Sequence, residues 1–315
     1  MIKLGVIGTS EGNGHPYSFS AIINGYSDQG MTTSGWPVIH EYLRKKDTSE
    51  FGFHDVQVTH AWTQDHEETK RLCQACLIPH ALSDRTDMFD AVDGVLIARD
   101  DFETHYEMAL PFLKKGIFVF VDKPLSVDLN ELSMLKPYLD KGQLMSCSGM
   151  RYATELDDMR KVFASDPSFK FIRGTIVNSW EKYGVHLLDA IFGLTEVEPV
   201  SVTAFNTENS SLMIKLKSRQ HLQIDCLGSK PVVLRLETIR EDGIHTFDIR
   251  DNFTMFRRTL WHFLKMIKTG APAIDPSTTL TIMKVLIAGR RSLEQKREVT
   301  LEEIRIPETT PDREG

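Results

Sequence analysis

The stretch at residues 116–124, GIFVFVDKP, constrains the fold more than any other. In it five apolar residues run unbroken into Asp122, Lys123 and Pro124. A short apolar run rich in β-branched and aromatic residues, coming after a helical segment, is the pattern of a buried strand. The missing alternation places it in a parallel sheet with helices on both faces. Ligands of open α/β sheets sit at the carboxyl ends of the strands. Lys123 therefore falls where chemistry happens.

The chain around this strand repeats the same grammar. Residues 2–7 form an apolar strand that leads into GTSEGNGH at 8–15, and a helical pattern follows from Tyr17. A strand, a glycine-rich turn and a helix in that order suggest a dinucleotide fold, in which helix amides receive a pyrophosphate. The strict G-x-G-x-x-G spacing is absent. Counted from Gly8, its later positions hold Ser10 and Asn13, and Gly12 and Gly14 are displaced. The alternative is a tight turn that needs glycines only for positive φ. Residues 25–53 are long for a first crossover, which suggests a lid or binding loop, with Trp36 and His40 as either pocket wall or local plug. The strand at 55–62 ends at Trp62 and Thr63 without an immediate carboxylate for a ribose diol, although Asp65 is close. Nor is there an arginine for a 2′-phosphate, since Arg71 lies a helix further on.

A helix at 65–76, a short strand at 80–82 and a short helix at 87–91 precede a buried strand at 93–98. That strand ends in Arg99, Asp100 and Asp101, with both aspartates expected at the surface, and a helix follows over 102–115. Such alternation predicts a parallel doubly wound domain over 1–124. Beyond it a helix at 129–139, a strand at 142–147 and, after Arg151 and Tyr152, a helix running to about Phe163 lead to a change of character. A strand at 169–180 and a helix at 184–192 come first. Strands at 200–207, 211–217, 221–227, 232–237 and 245–249 follow, several joined by short polar turns. Helices at 254–269 and 277–295 and a frayed tail at 307–315 close the chain. Residues 125–315 thus read as an α+β domain on an open, mainly antiparallel sheet, one face under helices and the other free to meet a partner.

Composition narrows the function. With 41% hydrophobic and 26% charged residues in 315 the chain supports two packed cores, and a net charge of −7 argues against a general nucleic-acid or anionic-membrane surface. No apolar run is long enough to span a membrane and the first residues enter a strand, so a cytoplasmic location is expected. Cys73 and Cys76 stand two apart inside a helical pattern. Zinc normally takes four ligands and this spacing supplies two, so the pair reads as structural and no metal site is expected.

The ordered combination of features resembles the Gfo/Idh/MocA oxidoreductases. Those features are the first strand and its glycine turn, the strand at 93–98 with His105 in the next helix, and Lys123-Pro124. Arg151 and the segment Gly184-Val-His186-Leu-Leu-Asp189 complete the set. The resemblance implies an amino-terminal Rossmann-like dinucleotide domain (1–124) and a carboxy-terminal domain for substrate and oligomerisation (125–315). It also implies NAD or NADP as cofactor, a sugar, inositol or sugar acid as substrate, and a homodimer or dimer of dimers. Lys123 then stabilises the reacting oxygen and His186 is the general acid/base, its ordinary pKa suiting reversible proton transfer. The cofactor contacts fall to Gly8, Thr9, Ser10, Gly12, Asn13, Trp62, Thr63, Arg99, His105, Asp122 and Pro124, and the substrate contacts to Arg151, Lys182 and Asp189. Arg151 is alternatively a salt-bridge partner, and His105 a buttress. The chain departs from the family at Lys182, where many members carry an aspartate that holds the histidine. Glu181 beside it, on a continuing strand, is expected to point elsewhere. Two other readings remain open: a nucleotide-binding regulatory subunit, and an NAD-assisted hydrolase or lyase.

Overall fold

The computed structural model describes residues 1–206 and 209–308. The strands are β1 (Ile2–Ile7), β2 (Val56–Trp62), β3 (His80–Ala81), β4 (Gly94–Ile97), β5 (Phe118–Val121), β6 (Leu144–Ser146) and β7 (Phe171–Ile176). They continue as β8 (Pro199–Asn206), β9 (Ser210–Leu216), β10 (His221–Cys226), β11 (Leu234–Arg240), β12 (Gly243–Asp248) and β13 (Val299–Thr300). The helices are α1 (His15–Asn24), α2 (Asp28–Thr32), α3 (Pro37–Arg44), α4 (His66–Cys76), α5 (His105–Lys114), α6 (Leu129–Asp140), α7 (Asp157–Ser165), α8 (Val185–Phe192), α9 (Asn252–Thr269) and α10 (Pro276–Gln295). Thr207 and the tail from 309 lie outside the described residues.

Two compact units emerge. The first comprises 1–125, 138–146 and 252–273, and the second 126–137, 147–251 and 274–315. A single cut after Pro124 therefore does not describe the chain, because β6 and α9 return to the first unit.

In the first unit six parallel strands run in the order β3-β2-β1-β4-β5-β6. Every residue of β4 is buried, which is why its apolar run does not alternate. Helix α9 completes the covering layer: a Cβ added at Gly94 would lie 2.9 Å from Ile267 and 3.3 Å from Phe263. The long first crossover is packed structure with short helices of its own. Ser27 caps α2, Asp47 caps a 3-10 turn at Thr48–Glu50, and Arg257 of α9 donates to the carbonyls of Glu50 and Gly52. His40 is buried and bonded to Asp28 at 2.8 Å, so it belongs to this insertion. Residues 87–91 do not form an α-helix; a 3-10 turn at Arg85–Met88 stands just before them.

The second unit holds a seven-stranded sheet ordered β12-β11-β7-β10-β9-β8-β13, antiparallel except where β7 and β10 pair in parallel. Alternate residues of β10 are buried, as one covered face requires. Helix α10 packs on that face, and fully buried Trp180 donates to the Leu286 carbonyl at 2.9 Å. Only glycine fits at 289, where a Cβ would lie 2.5 Å from the indole. The strand expected over 169–180 stops at Ile176: Asn178 takes φ +74°, and Trp180–Gly184 forms a π-helical turn running into α8. Strand alternation therefore does not set the direction of Glu181.

Candidate active site

In the first unit β5 delivers Asp122 and Lys123 to its carboxyl end, both nearly buried at 2% and 4% exposure. One Asp122 oxygen accepts Asn13 Nδ2 at 3.1 Å and His15 Nδ1 at 2.5 Å, and the other accepts the Lys123 backbone N–H at 2.9 Å. Burial pushes this carboxyl up, but the charge and hydrogen bond of His15, with the charge and amide of Lys123, outweigh it. The net result is a carboxyl held well below the usual range. Asn13 also accepts the His15 backbone N–H at 2.8 Å, and the His15 ring stacks on Phe19 with Phe256 at its edge. His15 stood outside the residues assigned to the site from sequence. Its partner lies 107 positions away, so no local pattern reveals the pair.

His105 is wholly buried and buttresses two strand ends at once. Nδ1 lies 2.8 Å from the Pro124 carbonyl and Nε2 2.9 Å from the Arg99 carbonyl. Gly8 is also buried, and a Cβ there would strike Pro16 at 2.2 Å, so this glycine serves close strand–helix approach.

The phosphate end departs from a simple amide cradle. Residues 10–13 make a tight turn closed by Asn13 N–H on the Ser10 carbonyl at 3.1 Å, with Gly12 at φ +77°. The Gln64 side chain takes both backbone groups of Thr9, and Pro16 removes an amide from the first turn of α1. Asp100 and Asp101 are half-buried and bonded rather than freely exposed as expected. Asp100 exchanges two hydrogen bonds with Ser10, at 2.7 and 3.1 Å, and Asp101 is bound by Arg99 through Nε at 2.8 Å and through Nη2. Arg99 Nη1 is buried with no partner among the described residues. An unsatisfied guanidinium N–H at the carboxyl end of β4, beside the β1–β4 switch point, suits an anionic dinucleotide. The residues present thus fit the cofactor through the strand ends and Arg99 more than through the amides of α1.

Beyond β2, Thr63 is buried and bonded to Thr69 and the Asp65 carbonyl, and Asp65 caps α4. Trp62 is half-buried, and the Arg85 guanidinium lies over its ring at 5.5 Å. An arginine thus does stand at the end of β2, brought there from a later turn. The cysteines of α4 are packing residues: burial pushes Cys73 up to about 12 and Cys76 higher still, which disfavours the reactive thiolate. Among the described residues no group of three or more His, Cys, Asp or Glu is placed to hold a metal ion.

The second unit holds His186, the other residue expected from sequence to take part in catalysis. His186 lies in the first turn of α8, half-buried, with Nδ1 2.6 Å from Ser148 Oγ. Asp189, one turn on, accepts the Ser148 backbone N–H at 2.7 Å and Arg151 Nη1 at 3.3 Å. Burial raises the Asp189 carboxyl to about 6, against the pull of Arg151. Arg151, half-buried, is therefore the ion-pair partner of buried Asp189. Burial likewise raises the neighbouring Tyr152 phenol. Lys182 is exposed on the π-helical turn, four residues before His186. Ser148 was not anticipated, because its partner is 38 residues away.

The first unit is a Rossmann-type parallel sheet with a buried lysine at a strand end, and the second is a mainly antiparallel sheet unit that bears an oriented histidine. Residues 30–149 match the sequence profile of the Gfo/Idh/MocA family, described as "Oxidoreductase family, NAD-binding Rossmann fold", and the resemblance read from the motifs is to this family. A sequence search of curated proteins finds no match. Among solved structures, the chain is similar to a probable dehydrogenase from Thermotoga maritima, with TM-score 0.73, 17% identity, and 96% of this chain and 100% of that one covered. It is also similar to myo-inositol 2-dehydrogenase from Lactobacillus plantarum, with TM-score 0.74, 15% identity and coverages of 95% and 99%. A third is myo-inositol dehydrogenase from Lactobacillus casei in complex with NAD(H) and myo-inositol, with TM-score 0.74, 14% identity and 99% of each chain covered. At these identities the structures establish the fold. No described helix is long and apolar enough to cross a membrane.

Proposed function

We propose that this protein is an NAD(P)-dependent dehydrogenase or reductase acting on a secondary alcohol carbon of a sugar, inositol or sugar acid. The observation that carries this reading is Lys123, a lysine only 4% exposed at the carboxyl end of a central parallel strand. Burying an ammonium is costly, so such a lysine is kept for its charge. A bound nicotinamide supplies the hydride acceptor or donor. In the oxidation direction the substrate hydroxyl gives its proton to His186 and its carbon releases the hydride with both electrons. Lys123 stabilises the oxygen as negative charge develops. Arg99 and the β1 loop hold the cofactor's anionic part. The Arg85–Trp62 pair, with no carboxylate at the end of β2, favours a 2′-phosphate on the ribose. Structural likeness to inositol dehydrogenases supports a polyol substrate. The protein acts in the cytoplasm as a homodimer or dimer of dimers through the open sheet face.

The test is a panel of sugars, inositols and sugar acids read at the reduced-nicotinamide absorbance. Turnover that falls in Lys123→Ala and His186→Ala supports the assignment. Tight cofactor binding without turnover across the panel would favour the regulatory-subunit reading instead. Product without net cofactor change would favour the hydrolase or lyase.

A further inference from the structure

We propose that Ser148, pinned by Asp189, is the positioning residue of His186 and stands in for a carboxylate. Its hydroxyl fixes Nδ1, so that Nε2 is the atom that exchanges the proton. This rests on the reading of His186 as acid/base.

The placement of Ser148 is over-determined. It is 1% exposed, its backbone N–H is held by Asp189 at 2.7 Å, and its Oγ accepts Met150 N–H at 3.1 Å where the chain enters the 3-10 turn Gly149–Tyr152. Asp189 is itself 3% exposed and tied to Arg151. His186 and Asp189 are three residues apart on α8 and so share a face. One helical turn therefore grips Ser148 twice, by side chain at 186 and by backbone at 189. Polar and ionisable neighbours of His186 include Tyr183, with its ring 4.9 Å from the imidazole, and along the chain the preceding turn carries Lys182 and Glu181.

The chemistry of the partner matters. A hydroxyl oxygen has two lone pairs and one proton. With one lone pair on Met150, the other is assigned a hydrogen bond from Nδ1–H, which puts the basic lone pair of the neutral ring on Nε2 and makes Nε2–H the acid of the imidazolium. A carboxylate would do the same with a full negative charge, pulling the ring toward imidazolium. Serine gives orientation without that pull. The usual carboxylate position is therefore dispensable: Lys182 occupies it, and the orienting group comes from the exit of β6.

A purely structural role would make Ser148 only the cap of its turn. The two are separated by 15N-histidine NMR of the full-length protein from pH 5 to 9, without substrate, with His186 assigned by its loss in His186→Gln. The expected wild-type result is one dominant neutral tautomer, protonated at Nδ1. Ser148→Ala mixes the tautomers and lowers kcat by about 10- to 100-fold, and Ser148→Thr restores both. If Ser148→Ala does not fold, Ser148→Cys, a weaker partner, gives the same readout. An unchanged tautomer ratio in the folded variant overturns the proposal. A serine-dependent tautomer in a protein that turns over nothing leaves the positioning intact and removes the dehydrogenase reading. Turnover with a serine-independent tautomer does the reverse.

Discussion

His15 in the first unit and His186 in the second each have Nδ1 held by a side-chain oxygen, and the two oxygens differ in kind. His15 meets the carboxylate of Asp122 at 2.5 Å, and His186 meets the hydroxyl of Ser148 at 2.6 Å. A carboxylate favours the charged ring and locks a pair in place, and Asp122 is held well below its ordinary pKa by that partnership. A hydroxyl serves the ring in either protonation state. The first arrangement suits an anchor beneath Lys123, the second a group that must both take and return a proton. The two buried aspartates divide along the same line. Asp122 is depressed by neighbouring positive charge, whereas burial raises Asp189 to about 6.

The comparison would break most visibly in turnover. His186→Gln is expected to lower kcat by roughly 10²- to 10⁴-fold and to remove a limb of the pH–rate profile. His15→Gln is expected to register chiefly as lost unfolding free energy; a lost pH limb in that variant instead would erase the distinction. Next in size, Asp122→Asn removes the buried carboxylate that His15 bonds and that neighbours Lys123, and should cost about 3–5 kcal/mol in denaturant unfolding at pH 7. Because the folded pKa is depressed, this stability is present above the unfolded value near pH 4 and fades as pH falls below it, so wild type and variant should converge in acid. A gap that stays constant down to about pH 2 would contradict the ion pair.

Asp189 carries the opposite sign. A carboxyl raised to about 6 holds its proton more tightly when folded, so stability falls as pH rises from about 4 to about 6 and stays lowered above. The shift corresponds to on the order of 2–3 kcal/mol. Asp189→Asn should therefore flatten the pH dependence of the melting temperature in that window, and an unaltered slope would locate the titration elsewhere. The smallest effect concerns cofactor choice. Arg85→Ala should weaken NADP(H) binding by roughly 1–2 kcal/mol more than NAD(H) binding in calorimetric titration. Equal losses would mean that the guanidinium only packs on Trp62.

Legibility from sequence tracked the range of the interactions. Unbroken apolar runs announced β4 and β5, and Lys123 could be put at a strand end because the residues following a buried strand must emerge there. Helix α8 and His186 were likewise local. The overrun of the strand past Ile176 came from Trp180, whose apolar surface reads as strand but fills the core under α10 from a π-helical turn. The domain division after Pro124 followed composition along the chain, and nothing in the local pattern of α9 says on which sheet it will pack.

By itself, then, the sequence determined the secondary-structure alphabet, the two kinds of sheet and the two side chains proposed for chemistry. These depend on periodicity and on what a strand end or helix start imposes. Only the tertiary structure decided what holds those side chains: Asn13 and His15 on Asp122, Ser148 and Asp189 about His186, Arg99 with one unsatisfied N–H, and Arg85 on Trp62. Such partners meet across dozens of residues, where hydrogen-bond geometry and burial rather than spacing select them. A serine at 148 could therefore do the work that the sequence had sought at 182.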